Sequence, residues 1–215
     1  MNIFVLSPIP HEAARFHCNA HVVKMIVEYA QLLSTAHRLL DGQQELLRWV
    51  CPVTGKNKAR KIFVLPGEEV RLVKQKDGKL KPSYFTNGAQ SPAMAATHAN
   101  HPCAVWARKS DANYHWLSQL LQALCVEYSV RYDKVHSVEN RCLSFLQLVP
   151  KKIPRSFQTP WPLAMPEVYK NEDIIEAYRD FYAGDKSRFA KWTTRPIPKW
   201  YVHRMERLNS SVFTG

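Results

Sequence analysis

Six polar residues, His17, His21, Lys24, Glu28, Gln31 and Thr35, recur at spacings of four, three, four, three and four. At about 100° per residue they share one face of an α-helix. The positions between them are mainly apolar, including Val22, Val23, Met25, Ile26, Val27, Tyr29, Ala30, Leu32, Leu33 and Ala36. A helix from Ala13 to Leu40 with so narrow a polar stripe reads as a buried helix. The stripe then predicts one cavity holding a carboxylate, two imidazoles and an ammonium group. That set suits acid–base chemistry. Glu28, the only acid of the stretch, is the first candidate for a general base or for the stabiliser of a developing cation, with Lys24, His21 and His17 around it. Lys24 beside Glu28 is expected to stay protonated and to bind anions rather than serve as a nucleophilic amine. The blander alternative is the polar side of an ordinary amphipathic helix, with Lys24 and Glu28 forming an i,i+4 pair worth about a few tenths of a kcal/mol.

A second cluster, His98, His101 and Cys103, lacks the His-Glu-x-x-His order of zinc proteases and the His-x-Glu with Pro-Cys-x-x-Cys pattern of zinc deaminases. No metal and no cofactor is expected, and His98 and His101 are expected to cap and bond local backbone. The chain also lacks a phosphate-binding P-loop, a dinucleotide glycine fingerprint and a Gly-x-Ser-x-Gly elbow, which removes the common kinase, dehydrogenase and hydrolase readings.

The elements that must hold these groups are bounded by the composition. With 215 residues, 46% of them hydrophobic, the chain can bury a full core and most simply forms a single domain over residues 1–215. Five cysteines, odd in number and without a Cys-x-x-Cys pair, predict reduced thiols rather than a disulfide framework. No apolar run of membrane length occurs, and Met1 to Leu6 reads as a first strand rather than a leader, so the expected location is cytoplasmic, with no membrane partner. A formal charge of +12 predicts a polyanionic partner, and DNA outranks lipid in the absence of a basic membrane helix.

Residues 49–85 differ in character from the rest. Val/Ile/Phe-rich runs are punctuated by Pro66-Gly67 and Asp77-Gly78, which predict turns between strands. Lys56, Lys58, Arg60, Lys61, Arg71, Lys74, Lys76, Lys79 and Lys81 face only three acids there. The reading is a basic β-rich insertion that follows a phosphate backbone, with Lys56, Lys58, Arg60, Lys61, Lys79 and Lys81 as its contacts. Beyond it, helical patterns are expected from Ser91, from Ala112 to about His136 behind a Ser110-Asp111 cap, from Val138 to Leu148, and from Asn171 or Asp173 to Tyr182, with a further short helix around Phe189 and Trp192. Lys151 to Pro166 is expected to be extended, and the tail after Tyr201 loosely ordered. Asn113 as a base-edge reader and Arg195, Trp200 and Tyr201 near the end complete the candidate nucleic-acid contacts. The fold class expected is mainly α, a helical domain with a small β-hairpin insertion.

The segment His21-Val-Val-Lys-Met-Ile-Val-Glu28, with Ala30-Gln-Leu-Leu-Ser-Thr-Ala-His-Arg38, His101-Pro102, Asn113-Tyr114 and the late Trp200-Tyr201, resembles a group of small phage-encoded DNA-processing proteins. More distantly it is similar to the helical pyrimidine-dimer DNA glycosylases of phages, in which a buried helix carries a His and, seven residues later, the catalytic Glu. Those positions are His21 and Glu28 here. Two departures accompany the likeness. The glycosylases use the amine of a Thr exposed by loss of Met, where this chain begins Met1-Asn2, and their Arg before the catalytic Glu is Val27 here. The resemblance implies a phage-type enzyme acting on a damaged or modified pyrimidine in DNA, with N-glycosidic excision as the leading reaction. Two alternatives stand beside it: a transferase joining a small-molecule amine donor or an amino acid to an activated 5-hydroxymethylpyrimidine, and a non-catalytic phage DNA-binding protein.

Overall fold

The structure, a computed structural model, describes residues 2–212; Met1 and residues 213–215 lie outside it. A long central helix organises the body. It is α2 (Asn19–Asp41), preceded by the short α1 (Pro10–Phe16). Its apolar side, Val22, Met25, Ile26, Tyr29, Leu32 and Leu33, is fully buried and packs mainly on α4 (Asp111–Tyr132), whose Tyr114, Leu117, Leu120, Leu121 and Leu124 face it. Ser110 caps α4 by accepting the amide of Asn113 at 3.1 Å, as its position before the apolar run predicts. Between α2 and α4 lie α3 (Pro102–Ala107) and the strands. After α4 come a π-turn at Glu139–Leu143, α5 (Ser144–Leu146), a 3₁₀ turn at Glu167–Tyr169, α6 (Ile174–Asp185) and α7 (Lys199–Val212).

The strands correct the expected fold class. The described residues form two separate small antiparallel sheets, one pairing β1 (Gln43–Val50) with β2 (Asn57–Val64), the other ordering β3 (Glu68–Lys74), β4 (Leu80–Thr86) and β5 (Ala89–Gln90). With 45% helix, 15% strand and seven α-helices among the described residues, the architecture is mixed α/β and not a mainly helical domain with one hairpin. The turn signals at Pro66-Gly67 and Asp77-Gly78 do separate strands, and Gly67 and Gly78 have φ of 80° and 79°, where a side chain would be strained. The strands begin before residue 49 because Gln43 to Leu47, polar at one end, gains its partner from Arg60 to Val64 rather than from any alternation of its own, and they continue past residue 85 where Phe85 and Thr86 pair with Gln90 and Ala89. No described helix is long and apolar enough to cross a membrane.

Other local expectations give way to tertiary partners. Residues 3–6 are buried but are not a strand: the amide of Phe4 donates to the Tyr29 hydroxyl, and the Leu6 carbonyl accepts from Arg179. Ser91 to Ala99 is irregular rather than helical, since its backbone is held by side chains of α2 and by Arg108. No helix forms around Phe189 and Trp192, whereas the tail after Tyr201 is helical to Val212. All five cysteines are buried and unpaired.

One buried ion pair fastens the strands to the helical body. Arg38 of α2, with no exposed side-chain surface, donates two bonds to Glu68 of β3 at 2.8 and 3.1 Å. Its other donors reach the carbonyls of Phe63 at 2.7 Å, Ala93 at 2.9 Å and Met94. All five guanidinium N–H groups are thereby used. The Tyr84 ring lies beneath the guanidinium at 3.7 Å, and Glu68 also accepts the Leu65 amide and the Ser91 hydroxyl. Both sheets and the 91–94 segment thus meet at a single cation.

Candidate functional site

The expected single helix from Ala13 to Leu40 is broken at His17-Cys18, whose backbones are extended with ψ of 134° and 163°. The break is made from outside. Arg131 of α4 donates to the carbonyls of His17 and Arg15, the Tyr182 hydroxyl of α6 accepts the Cys18 amide, and the Asn19 amide donates to the Lys191 carbonyl. These contacts satisfy the groups that a continued helix would have paired. His17 leaves the stripe as a result. Its Nδ1 lies 2.6 Å from the Ala13 carbonyl and its Nε2 3.2 Å from the Tyr29 hydroxyl, and since Tyr29 already accepts the Phe4 amide, that hydroxyl donates to Nε2. Nδ1 then carries the proton. Burial holds the ring neutral, with its pKa lowered to about 4, although the Ala13 bond opposes the shift. His17 is a core histidine.

His21 is also buried, stacked on Phe4 at 4.5 Å between centroids and edge-on to Phe189 and Tyr182. Tyr182 donates to its Nδ1 at 2.9 Å, which leaves the proton on Nε2. Burial first, then the charges of His17, Lys24 and Lys186, bring its pKa down to about 3. Lys24 stands out in solvent, 67% exposed, while Glu28, 3.3 Å from it, keeps only 16% of its side-chain surface. The expected ring of His17, His21, Lys24 and Glu28 around one cavity is therefore not formed: two members are packed into the core and two form a pair at its edge.

A cleft opens a turn further along the same helix face. Val27 and Gln31 of α2 form one wall, Val73, Lys81, Ser83, Tyr84 and Gln90 of the three-stranded sheet with Gln75 of the β3–β4 turn another, and residues 93–97 the floor, with Arg60 and Arg141 also in the lining. Its volume is about 580 Å³, inside the roughly 300–1,000 Å³ range of ordinary small-ligand sites. Arg60 also borders a smaller adjoining recess with Lys61 and Ala96 to Ala99. The cleft floor is laid along α2 by side-chain bonds: Ser34 accepts the Met94 amide at 3.0 Å and Thr35 accepts that of Thr97 at 3.1 Å. Past Thr97 the chain reaches His101 and Cys103, both within the field of the Glu28 carboxylate, and Asn2 accepts from the Cys103 thiol. Glu28, one turn before the cleft-lining Gln31 on α2, is not itself part of the cleft lining. His101 caps α3 by accepting the Cys103 amide at 3.2 Å.

The basic residues of the insertion divide by position. Lys56, Lys58, Arg60, Lys61, Lys79 and Lys81 are all exposed, but of these only Arg60 and Lys81 line the cleft, and Lys79 is paired with Asp77 at 2.8 Å. The later candidates belong to the scaffold instead. Asn113 is fully buried, donating to the Trp106 carbonyl and the Thr159 hydroxyl and accepting the Thr159 amide, so no edge remains to read a base. Arg195 spends two donors on Glu127, which also holds Arg131. Trp200 and Tyr201 pack together with Phe16, Tyr182 and Trp192. Sequence reasoning missed Arg141, Gln75 and Gln90 of the cleft; they carry no local signal, because three remote segments bring them together. Comparisons of the chain with family models, with curated proteins and with solved structures find no match.

Proposed function

We propose that this protein holds DNA in the basic cleft and processes a pyrimidine base beside it, with Glu28 as acid–base group or electrostatic stabiliser and excision of the base as the leading reaction. The placing of Glu28 on α2 one turn from the cleft-lining Gln31 carries this reading. Helix α2 supplies Gln31 to the cleft wall and, one turn earlier on the same face, the Glu28 carboxylate, 16% exposed and 3.3 Å from Lys24. Arg60, Lys81 and Arg141 suit phosphates, and Gln31, Gln75 and Gln90 offer paired donors and acceptors of the kind that read base edges. A largely shielded carboxylate acts on a developing cationic sugar more strongly than it would in open water. In the excision step the glycosidic bond breaks with its electron pair going to the base, the oxygen of a water bonds to the anomeric carbon, and Glu28 takes the water proton. His21 and His17 serve as the packed support of that helix turn.

Glu28→Gln keeps the shape and removes the charge and the proton acceptor, so turnover is expected to fall by at least about a hundredfold while DNA binding persists. Nucleoside mass spectrometry of modified and damaged duplexes, with affinity measured on the same protein, checks this. Abasic product supports excision, a heavier pyrimidine formed with an amine donor identifies the transferase, and bound but unaltered DNA identifies a binding protein. Full turnover by the Gln variant removes Glu28 from the chemistry.

Charge reversal of Arg60 and Lys81 together is expected to weaken DNA binding more than tenfold and to lower the slope of log affinity against log salt by about 2, since each lost phosphate contact removes roughly 0.9. The matched reversal of Lys56 and Lys58, outside the cleft lining, is expected to cost less. Equal effects of the two pairs in a salt titration would disconnect binding from the cleft.

A further inference from the structure

Phe157 is 91% exposed, close to the maximum for its type. It stands on a strap from Lys151 to Pro162 that is tied down on both sides of it. The amides of Lys151 and Lys152 donate to the Asp41 carboxylate at 2.7 and 2.9 Å, and Ile153 is buried. The Asp111 amide donates to the Pro154 carbonyl and its carboxylate accepts the Ser156 amide, both at 2.9 Å. Two residues beyond the ring, Thr159 donates its amide to Asn113 at 2.8 Å, accepts from the Asn113 amide group at 2.9 Å, and takes the Trp106 indole N–H on its carbonyl at 3.1 Å. Pro154, Pro160 and Pro162 further restrict the chain. With anchors at 154, 156 and 159 the backbone cannot fold the ring back onto the protein. The ordering cost of presenting it is already met in the fold.

An isolated exposed apolar side chain is common; one on a backbone tied down by Asp41, Asp111 and the buried Asn113 is a different object. Its surroundings indicate what it meets. Lys151, Lys152, Arg155 and Lys109 are exposed on the strap and at the adjoining start of α4, whereas the acids nearest in the bonding pattern, Asp41 and Asp111, engage backbone amides with their carboxylates. A flat ring among outward cations matches the combination of base stacking and phosphate attraction. We propose that Phe157 is a nucleobase-stacking residue that engages an unpaired or unstacked base of bound DNA, with Arg155, Lys151 and Lys152 holding the flanking phosphates. This rests on the DNA-binding reading above and extends it to a second point of contact.

The test uses the full chain and DNA carrying 2-aminopurine at successive positions, single-stranded and as a duplex with one unpaired site. For the unmodified protein, quenching is expected at one discrete position. Phe157→Ala is expected to abolish that quench and weaken binding about tenfold, while Phe157→Trp retains both. The pinned strap does not depend on the ring, so the thermal midpoint of the Ala variant is expected to match that of the parent. Unchanged affinity in Phe157→Ala, or weakened affinity with the quench intact, overturns the stacking role and leaves DNA binding by the cleft standing. A change in the self-association of the protein alone, read by sedimentation, would assign the ring to a second copy instead. Failure of the unmodified protein to bind any of these DNAs overturns both readings.

Discussion

Arg38→Met is expected to lower the free energy of unfolding by about 3–5 kcal/mol, because it leaves the buried Glu68 carboxylate without its counter-charge. The carbonyls of Phe63, Ala93 and Met94 lose a donor at the same time, and each buried acceptor left open adds to the cost. For a chain of this size such a change corresponds to a melting point lower by roughly 10 °C. The damage should be uneven. Hydrogen exchange is expected to speed first in β3, β4 and residues 91–97, which meet at Arg38, and last in α2 and α4, whose apolar contacts are untouched. The double variant Arg38→Met with Glu68→Leu should recover part of the loss, since replacing both charges by packed apolar groups avoids stranding either one. A single variant within about 1 kcal/mol of the parent in urea unfolding would show that the pair does not fasten the sheets. DNA affinity is expected to fall along with sheet protection, because one wall of the cleft belongs to β3, β4 and β5.

Acid is expected to unfold the protein well above the pH at which most carboxylates titrate. His17, His21 and His37 have pKa values lowered to about 4, about 3 and about 4 from an ordinary 6.5, in each case chiefly by burial. His37 sits 4.0 Å from Asp41, which favours its charged form, yet burial outweighs that attraction. The folded chain therefore binds fewer protons than the unfolded chain between about pH 4 and pH 6.5. Stability from these groups is complete above pH 6.5, declines as pH falls through that window, and stops declining once the folded-state values are passed. Each neutral histidine contributes a slope of about 1.4 kcal/mol per pH unit, so the three together reach about 4 kcal/mol per unit near pH 5. Denaturant unfolding at pH 7, 6 and 5 measures it, and His21→Phe should reduce the slope by about a third. Equal stability at pH 7 and pH 5 would mean that these rings are charged in the fold.

Much of the frame was legible because it is encoded over short spans. The apolar period of α2, the Ser110 cap of α4, the Asp173 cap of α6 and the turns at Gly67 and Gly78 each follow from a few neighbouring side chains and their preferred backbone angles. Glu28 and Lys24 also fall where a 3.6-residue period puts them, as a pair on one edge of the helix. Other features carry no such local mark. His17 left the stripe because Arg131 and Tyr182, far along the chain, took the backbone groups that would have continued the helix. Residues 3–6 have the composition of a strand but meet Tyr29 and Arg179 instead of a neighbouring strand. Residues 91–99 have a helical apolar pattern, yet Ser34, Thr35 and Arg108 bind their backbone in another conformation.

What the sequence determined alone is therefore the set of helices with strong periodicity, the turns, the positive charge and the placing of an acid on the most buried helix. Tertiary structure decided which polar groups meet. It sent Asn113, Arg195, Trp200 and Tyr201 into the scaffold, joined Gln31 to Arg60, Lys81 and Arg141 across a cleft, and exposed Phe157 on a strap that its composition alone would have packed against the helices. The physical reason is one of range. Backbone preference and periodic burial act between residues a turn or two apart, whereas a buried donor or acceptor takes whichever partner the completed fold brings within 3 Å, and that partner can come from anywhere in the chain.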